Sequence, residues 1–370
     1  MLVTLVVAAS RELVHEVAQG QTLSGIAQRY GVSVDALQAR NELTSSHIRS
    51  GQRLIVPPKG WERGDPTPGG AVSAGSTEKP AAWTQTQKSV SERGGVNPCN
   101  SPDPGFGVYT RWQRGIAMGQ WIAPERGGLT RAGRFDLMIH FHGHEPARKE
   151  WVRVMDGAVL VGIDLGTGSG AYFNAFASPR TFEVLIESIE KAVARHAGRS
   201  RARVRHVGVS GWSAGYGAIQ QIIAQPLGKR LVDTVVLLDG LHCGYGGRSL
   251  NGEQIAPFID WARRAARGEV TMFVSHSSII PPGYASTTET AGLLVERVGG
   301  KLRMARPRAG EPMGLELIRR YTRGRFHVRG YAGNGPLDHC AHLGLFRDVL
   351  KVHVRPRWGS PRGFKTNRHS

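Results

Sequence analysis

The sequence predicts two folded parts of different class: a small β-α-α-β module, then a larger three-layer α/β domain with a mostly parallel sheet. Three observations predict this. Residues 15–57 place two short helical patterns between two short strand patterns. Residues 58–97 hold D-P-T-P-G-G-A-V-S-A-G-S-T-E-K-P-A-A and almost no apolar periodicity, the composition of a tether. From Cys99 onward, β-branched runs alternate with amphipathic helical stretches.

The module is built as follows. Leu13 to Val17 is a short strand, and Gln19-Gly20-Gln21 is a turn. Thr22 is a good N-cap for a helix carrying Leu23, Ile26, Ala27 and Tyr30 at helical spacing, which Gly31 ends. Ser33 caps a second helix with Val34, Leu37 and Ala39, ending near Asn41. Ser50-Gly51-Gln52 turns into a strand, Arg53 to Val56, stopped by Pro57-Pro58.

This pattern resembles the LysM module, through Gly20, Thr22, Leu23, Ile26, Ala27, Tyr30, Gly31, Val32, Leu37, Asn41, Leu43, Ile48, Gly51, Gln52, Leu54, Val56 and Pro57. The resemblance implies binding to N-acetylglucosamine glycans, peptidoglycan or chitin. It also implies a groove between Gly20, Gln21, Thr22 and Leu23 on one side and Ile48, Arg49 and Ser50 on the other. A single module implies modest affinity.

In the larger domain, Phe106 to Gln113 and Gly119 to Ala123 read as early strands. Phe135 to Phe141 is a strand ending in H-G-H. Ala158 to Asp164 is a continuous apolar run, suited to a strand covered on both faces. Ser178-Pro179 opens a helix whose stripe is Phe182, Leu185, Ile186, Ile189 and Val193. Val204 to Val209, Val232 to Leu238, Val270 to Ser275 and Phe326 to Tyr331 are further strands, with a helix at Gly217 to Gln225. Residues 98–356 make up this domain, and 357–370 form a basic tail.

The stretch G-V-S-G-W-S-A-G-Y-G-A-I, Gly208 to Ile219, contains G-x-S-x-G centred on Ser213. In a chain with 49 Gly the pattern alone proves little. Its context decides. A strand turns into a helix at Ser213, with Gly211 and Gly215 as the small flanks that a strained elbow needs. An upstream strand ends at His142-Gly143, placed to contribute an oxyanion donor. Downstream, Asp239 ends the strand T-V-V-L-L-D-G, and His339 follows the last strand. Ser213 is the expected nucleophile, His339 its base and Asp239 the group that orients the base. His342 rivals His339. The backbone N–H of Ala214, and another at Gly143 or His144, would hold the oxyanion. Trp212 and Tyr216 flank the serine and line an acyl pocket or pack against the next layer.

From Cys99 to Val354 the chain therefore resembles the α/β-hydrolase superfamily in order and triad. The acid departs from the commonest placement: S-H-S-S-I-I-P-P-G, after the following strand, has no carboxylate. The expectation is a serine hydrolase of small esters, less readily amides, without a cofactor.

Rival readings remain. G-I-D-L-G-T-G-S-G, Gly162 to Gly170, is similar to the first motif of S-adenosylmethionine methyltransferases. That motif needs a helix directly after the glycines and an acid ending the next strand. Here the helix is expected to restart only at Ser178, and the next strand ends at Ser210. H-F-H-G-H would set His140, His142 and His144 on one strand face, but no carboxylates are singled out to complete a metal site, and none is expected. A glycan-binding protein with an inactive hydrolase fold is the third reading.

Composition bounds these expectations. Hydrophobic residues at 40% and charged residues at 21% suit a soluble globular chain. No apolar run approaches the ~18 residues of a membrane span. The formal charge of +19 attracts polyanions, yet the basic residues are scattered and no nucleic-acid-reading motif appears, so no nucleic-acid partner is expected. M-L-V-T-L-V-V-A-A-S reads as the remnant of a secretory signal over residues 1–12, lacking its positive start; the rival is a first strand. Export to periplasm, cell wall or medium is the corresponding expectation. Three cysteines are too few for a disulfide scaffold. One bridge is expected between Cys243, beyond Asp239, and Cys340, beside His339; two buried thiols, or Cys99 as the partner, are the alternatives.

Overall fold

Val14–Glu16 (β1) pairs antiparallel with Arg53–Ile55 (β2), and between them run Leu23–Tyr30 (α1) and Val34–Arg40 (α2). This computed structural model describes residues 13–17, 22–43, 48–49, 51–58, 88–246, 249–281, 284–306 and 310–359. The chain falls into two compact units, Met1–Trp83 and Thr84–Ser370. The expected signal remnant, most of the tether with Trp61 and Trp83, and most of the basic tail lie outside the described residues.

The first unit closes around Val17, Leu23, Ile26, Leu37 and Leu54, all buried. Gly31 leaves α1 at φ +65°, a conformation that costs a glycine nothing. The Ser33 hydroxyl accepts from the Ala36 N–H at 3.0 Å, as a cap should. Asn41 ties the end of α2 to β2. Its Nδ2 donates to the Leu37 and Ile55 carbonyls at 2.8 Å, and its Oδ1 accepts from the Ile55 N–H at 2.7 Å.

The second unit is a nine-stranded sheet between helical layers. Its elements run Gln120–Ile122 (β3), Arg134–Phe141 (β4), His144–Trp151 (α3), Val159–Ile163 (β5), Ser169–Ala175 (α4), Pro179–His196 (α5) and Arg203–Trp212 (β6). They continue with Tyr216–Ala224 (α6), Pro226–Leu231 (α7), Val232–Leu238 (β7), the pair Tyr245–Gly246 (β8) and Ser249–Leu250 (β9), Gly252–Ala266 (α8) and Thr271–His276 (β10). Thr287–Arg297 (α9), Arg303–Met304 (β11), Leu317–Arg323 (β12), Phe326–Tyr331 (β13), Pro336–Ala341 (α10) and Leu345–Val349 (α11) complete the series. The order across the sheet is β11-β12-β13-β10-β7-β6-β4-β5-β3. The six central strands are parallel; β3, β11 and β12 pair antiparallel at the two edges. This is the mostly parallel three-layer α/β architecture that the alternation of strands and helices predicts.

Strand alternation divides the core. Leu137 and Ile139 of β4, Val235 and Leu237 of β7, and Met272 and Val274 of β10 pack against α5, α6, α8 and α9. Met138, Val236, Leu238 and Phe273 face α3 and α11 on the other side.

Three expectations need correction. Phe106 to Gln113 is not a strand: only Tyr109 and Gln113 make isolated bridges, because Gly105, Gly107 and Gly115 turn the chain at positive φ. The loop expected up to Ser178 contains α4, whose Tyr172 is buried and whose end seats Phe176 against Phe141 at 5.3 Å. The tether ends sooner than residue 97. Residues 88–97 pack on the second unit, where buried Arg93 pairs with Asp338 and donates to the Met313 carbonyl at 2.8 Å.

Candidate active site

The carboxyl ends of the parallel strands carry the site. β6 runs into Ser213, which takes φ +48° before α6 begins. A non-glycine residue in that region is strained, and an exposed serine at a strand–helix turn is the usual reason to hold it there. The two flanks are glycine because nothing larger fits. A Cβ on Gly215 would lie 2.2 Å from the Phe141 carbonyl oxygen, and one on Gly211 3.0 Å from the Gly215 carbonyl carbon. Gly240 serves the same turn from β7: its Cβ would sit 2.6 Å from the Ser213 nitrogen and oxygen.

Asp239 follows β7 at φ +44°, fully enclosed. Its Oδ2 accepts from His339 Nδ1 at 2.7 Å, and its Oδ1 accepts from the Ser277 N–H at 2.8 Å and the Thr287 hydroxyl at 2.7 Å. Burial alone would raise this carboxyl's pKa. The neighbouring His342 and His339, with the hydrogen bonds from His339 and Thr287, outweigh burial and hold it well below its ordinary value. Asp239 therefore stays ionised through neutral pH and fixes the His339 tautomer with Nε2 free of the proton. Ser277 and Thr287 escape sequence reading. The S-T-T-E capping box at Ser286 marks the start of α9, but not its aim toward Asp239.

His342 does not compete for Asp239. It is buried, and its Nδ1 shares a hydrogen bond with the Ser275 hydroxyl at 2.8 Å. Burial pushes its pKa down to about 4, so it is neutral near pH 7. His339 sits on α10 and is partly exposed. Trp212 links it to the elbow: the indole Nε1 donates to the His339 carbonyl at 3.0 Å, and the two rings lie 4.7 Å apart. Trp212 also stacks on His142 at 5.1 Å and 11°. Trp212 thus touches both His339 and the loop after β4. Among the described residues the Ser213 hydroxyl makes no hydrogen bond. Such bonds often tighten only around a substrate.

The loop after β4 holds His142 at φ +67° and Gly143 at φ +77°. The His142 N–H is spent on the Ile163 carbonyl at 3.0 Å. Gly143 and His144 open α3, and Ala214 opens the helical turn into α6. First-turn amides have no partner within their own helix, which leaves them available to an oxyanion. The three histidines expected on one face diverge, because the strand ends at Phe141 and alternation breaks at His142. His140 bonds the Ser210 hydroxyl at 2.8 Å and the His142 carbonyl at 2.9 Å, His142 the Tyr172 hydroxyl at 3.0 Å, and His144 the Asp164 carboxylate at 2.6 Å. Asp164 and the glycine loop after it therefore stand beside the candidate site.

The expected Cys243–Cys340 bridge is replaced by Cys99–Cys340, with Cα atoms 5.0 Å apart. Cys243 is a buried free thiol, its pKa pushed up to about 11 by burial. The loops carrying Asp239 and His339 are neighbours as expected, but residues 98–100 reach α10 first. The bridge spans 241 residues and fastens the helix that carries His339. Cys99→Ser is expected to lower stability by roughly 2–5 kcal/mol and to reduce turnover with it. Thermal melts with and without reductant check this; a Tm indifferent to both would remove the bridge from the account.

Residues 15–57 match the family model of the LysM domain. The module's core, caps and strand pair described above are therefore those of a LysM domain. No curated protein matches the chain. Three solved structures share part of its course. A thermostable esterase is 11% identical, with a TM-score of 0.37 over 65% of this chain and 57% of its own. TT1662 from Thermus thermophilus is 15% identical, with a TM-score of 0.32 over 66% of this chain and 100% of its own. The spore cortex-lytic enzyme SleL of Bacillus megaterium QM B1551 is 10% identical, with a TM-score of 0.18 over 89% and 85%. With overlap that partial, the reading of the second unit rests on its own sheet and site.

Of the expected LysM groove, Gly20, Gln21 and Ser50 lie outside the described residues. Thr22 and Arg49 are exposed, and Ile48 is partly buried against the core. Leu23 is 1% exposed, so its side chain belongs to the core and not to the groove wall. Among the described residues no helix is long and apolar enough to cross a membrane.

Proposed function

We propose that the protein is a serine hydrolase of small esters, acting less readily on amides, held to peptidoglycan or chitin by its LysM module. One observation carries the reading. A serine strained into the left-handed region at a strand–helix turn shares the sheet's carboxyl edge with a buried Asp239 hydrogen-bonded to His339. In the proposed reaction His339 Nε2 takes the Ser213 proton as Oγ attacks the acyl carbon. The charge that develops on the carbonyl oxygen is met by the amides of Ala214 and of Gly143 or His144. Collapse breaks the ester bond, and His339 returns the proton to the leaving alcohol. Water then repeats the cycle on the acyl-enzyme, with His339 again as base. Asp239 stabilises the imidazolium at each stage without itself taking a proton.

Deacylation of a wall glycan joins the two units in one task, and the Cys99–Cys340 bridge supports an oxidising, exported location. A fluorophosphonate probe and a panel of acyl esters test the chemistry. The glycan is tested separately. Residues 1–83 are expected to sediment with insoluble peptidoglycan or chitin, and residues 84–370 to hydrolyse a soluble ester without it. A folded first unit that ignores both glycans would reject the targeting role and leave the hydrolase standing. Binding that disappears in modest salt would credit the positive charge instead.

A further inference from the structure

The β11–β12 edge of the large sheet sets like charges face to face. Arg303 lies directly opposite Arg320, and Arg320 opposite Arg329. Directly opposed like charges destabilise an antiparallel pair. Arg329 has Asp348 at 3.7 Å, but among the described residues Arg303 and Arg320 make no ion pair. Beyond the reach of β11, the free stretch of β12 borders a groove of about 820 Å³ lined by Lys301, Arg303, Arg320 and Arg323, with no carboxylate. A second hollow of about 270 Å³ lies next to it, lined by Arg325, Arg357 and two histidines, again with no carboxylate. Thr322 of the first and His327 of the second share a hydrogen bond at 3.2 Å, so the two adjoin.

We propose that this edge binds a linear phosphodiester polymer that carries no aromatic bases, of the poly(alditol phosphate) kind. The guanidinium fork suits phosphate oxygens. The cations of the two hollows stand on β11, on β12 and on the segments around them, more than one small anion can engage, so the match is to charge repeated along a chain. Single-stranded nucleic acid is disfavoured because such sites need aromatic faces for the bases. Tyr321, the one aromatic ring in the larger groove, packs its ring against Phe326 at 5.9 Å. This surface is independent of the proposed hydrolase reaction.

The test is calorimetric binding of the full chain to poly(glycerol phosphate) over a series of salt concentrations. That polymer has no N-acetylglucosamine for the LysM module to hold. Wild type is expected to bind, with affinity falling linearly in log salt. The double variant R303Q/R320Q should weaken binding about tenfold or more and lower the salt slope by about 2. R126Q/R131Q, exposed arginines in the loop between β3 and β4, should bind as wild type does. Both variants should keep wild-type ester turnover. No binding by wild type, equal losses in the two variants, tighter binding of single-stranded DNA, or equal binding of polyglutamate would each overturn the proposal. So would a R303Q/R320Q protein with a higher Tm and unchanged binding, which would mark the charges as edge protection alone.

Discussion

Ser213→Ala is expected to abolish labelling by a fluorophosphonate probe and to lower ester turnover by roughly 10³-fold or more. The reason is geometric. The strain at Ser213 and the glycines around it serve to present one oxygen, and alanine keeps the backbone while removing that oxygen. His339→Ala should lose nearly as much, because among the described residues no other imidazole bonds Asp239. His342→Ala is a different experiment. It empties a buried position beside Ser275 and should reduce stability more than turnover in the fraction that stays folded. Labelled Ser213→Ala protein would end the hydrolase reading, and equal catalytic loss at His342 in fully folded protein would reassign the base.

Arg93→Ala is expected to cost about 3–5 kcal/mol of stability, because it leaves the Asp338 carboxylate buried without its cation. Arg93 is 5% exposed and Asp338 2%. Among the described residues Asp338 would keep only the Gly335 N–H at 2.9 Å. In a unit of this size such a loss lowers Tm by roughly 10 °C. Turnover should fall as well, because Asp338 adjoins His339 on α10. The pairwise variant R93M/D338N should recover much of the Tm, since it removes the unpaired charge and keeps an acceptor for Gly335. Melts of the three proteins decide it: an unchanged Tm for Arg93→Ala would mean that residues 88–97 do not anchor the base helix.

What sequence reading found and what it missed divide by the range of the forces involved. The central strands β4, β5, β7 and β10 are buried on both faces over most of their length, so they read as mostly apolar runs, and the valines of β6 and the buried Phe326, Val328 and Tyr331 of β13 mark the other two. The LysM pattern is local turn and cap chemistry, hence legible throughout. The edge strand β12 was not, because L-I-R-R-Y-T-R is mostly exposed and shows no alternation. The elbow was readable because strain and small flanks are sequence-local. The choice between His339 and His342, the bridge to Cys99 and the Arg93–Asp338 pair were not, since each depends on where distant segments land. Leu23 shows the opposite error: a motif position taken for a binding position is a core position.

Every strand of the large sheet lies between Cys99 and Cys340 in sequence. The bridge therefore closes residues 99–340 of the second unit into a covalent ring, with the segment leading to the LysM module leaving at the point where the ring is tied. A single protease cut within that ring would not divide the polypeptide. Both pieces would stay joined through the sulfurs, and a non-reducing gel would still show one full-length band. Cleavage before Cys99 has the opposite outcome, because it releases the glycan-binding module from an intact ring. For the wall-held hydrolase proposed above, wear would then take the form of shedding, in which the second unit leaves its anchor whole.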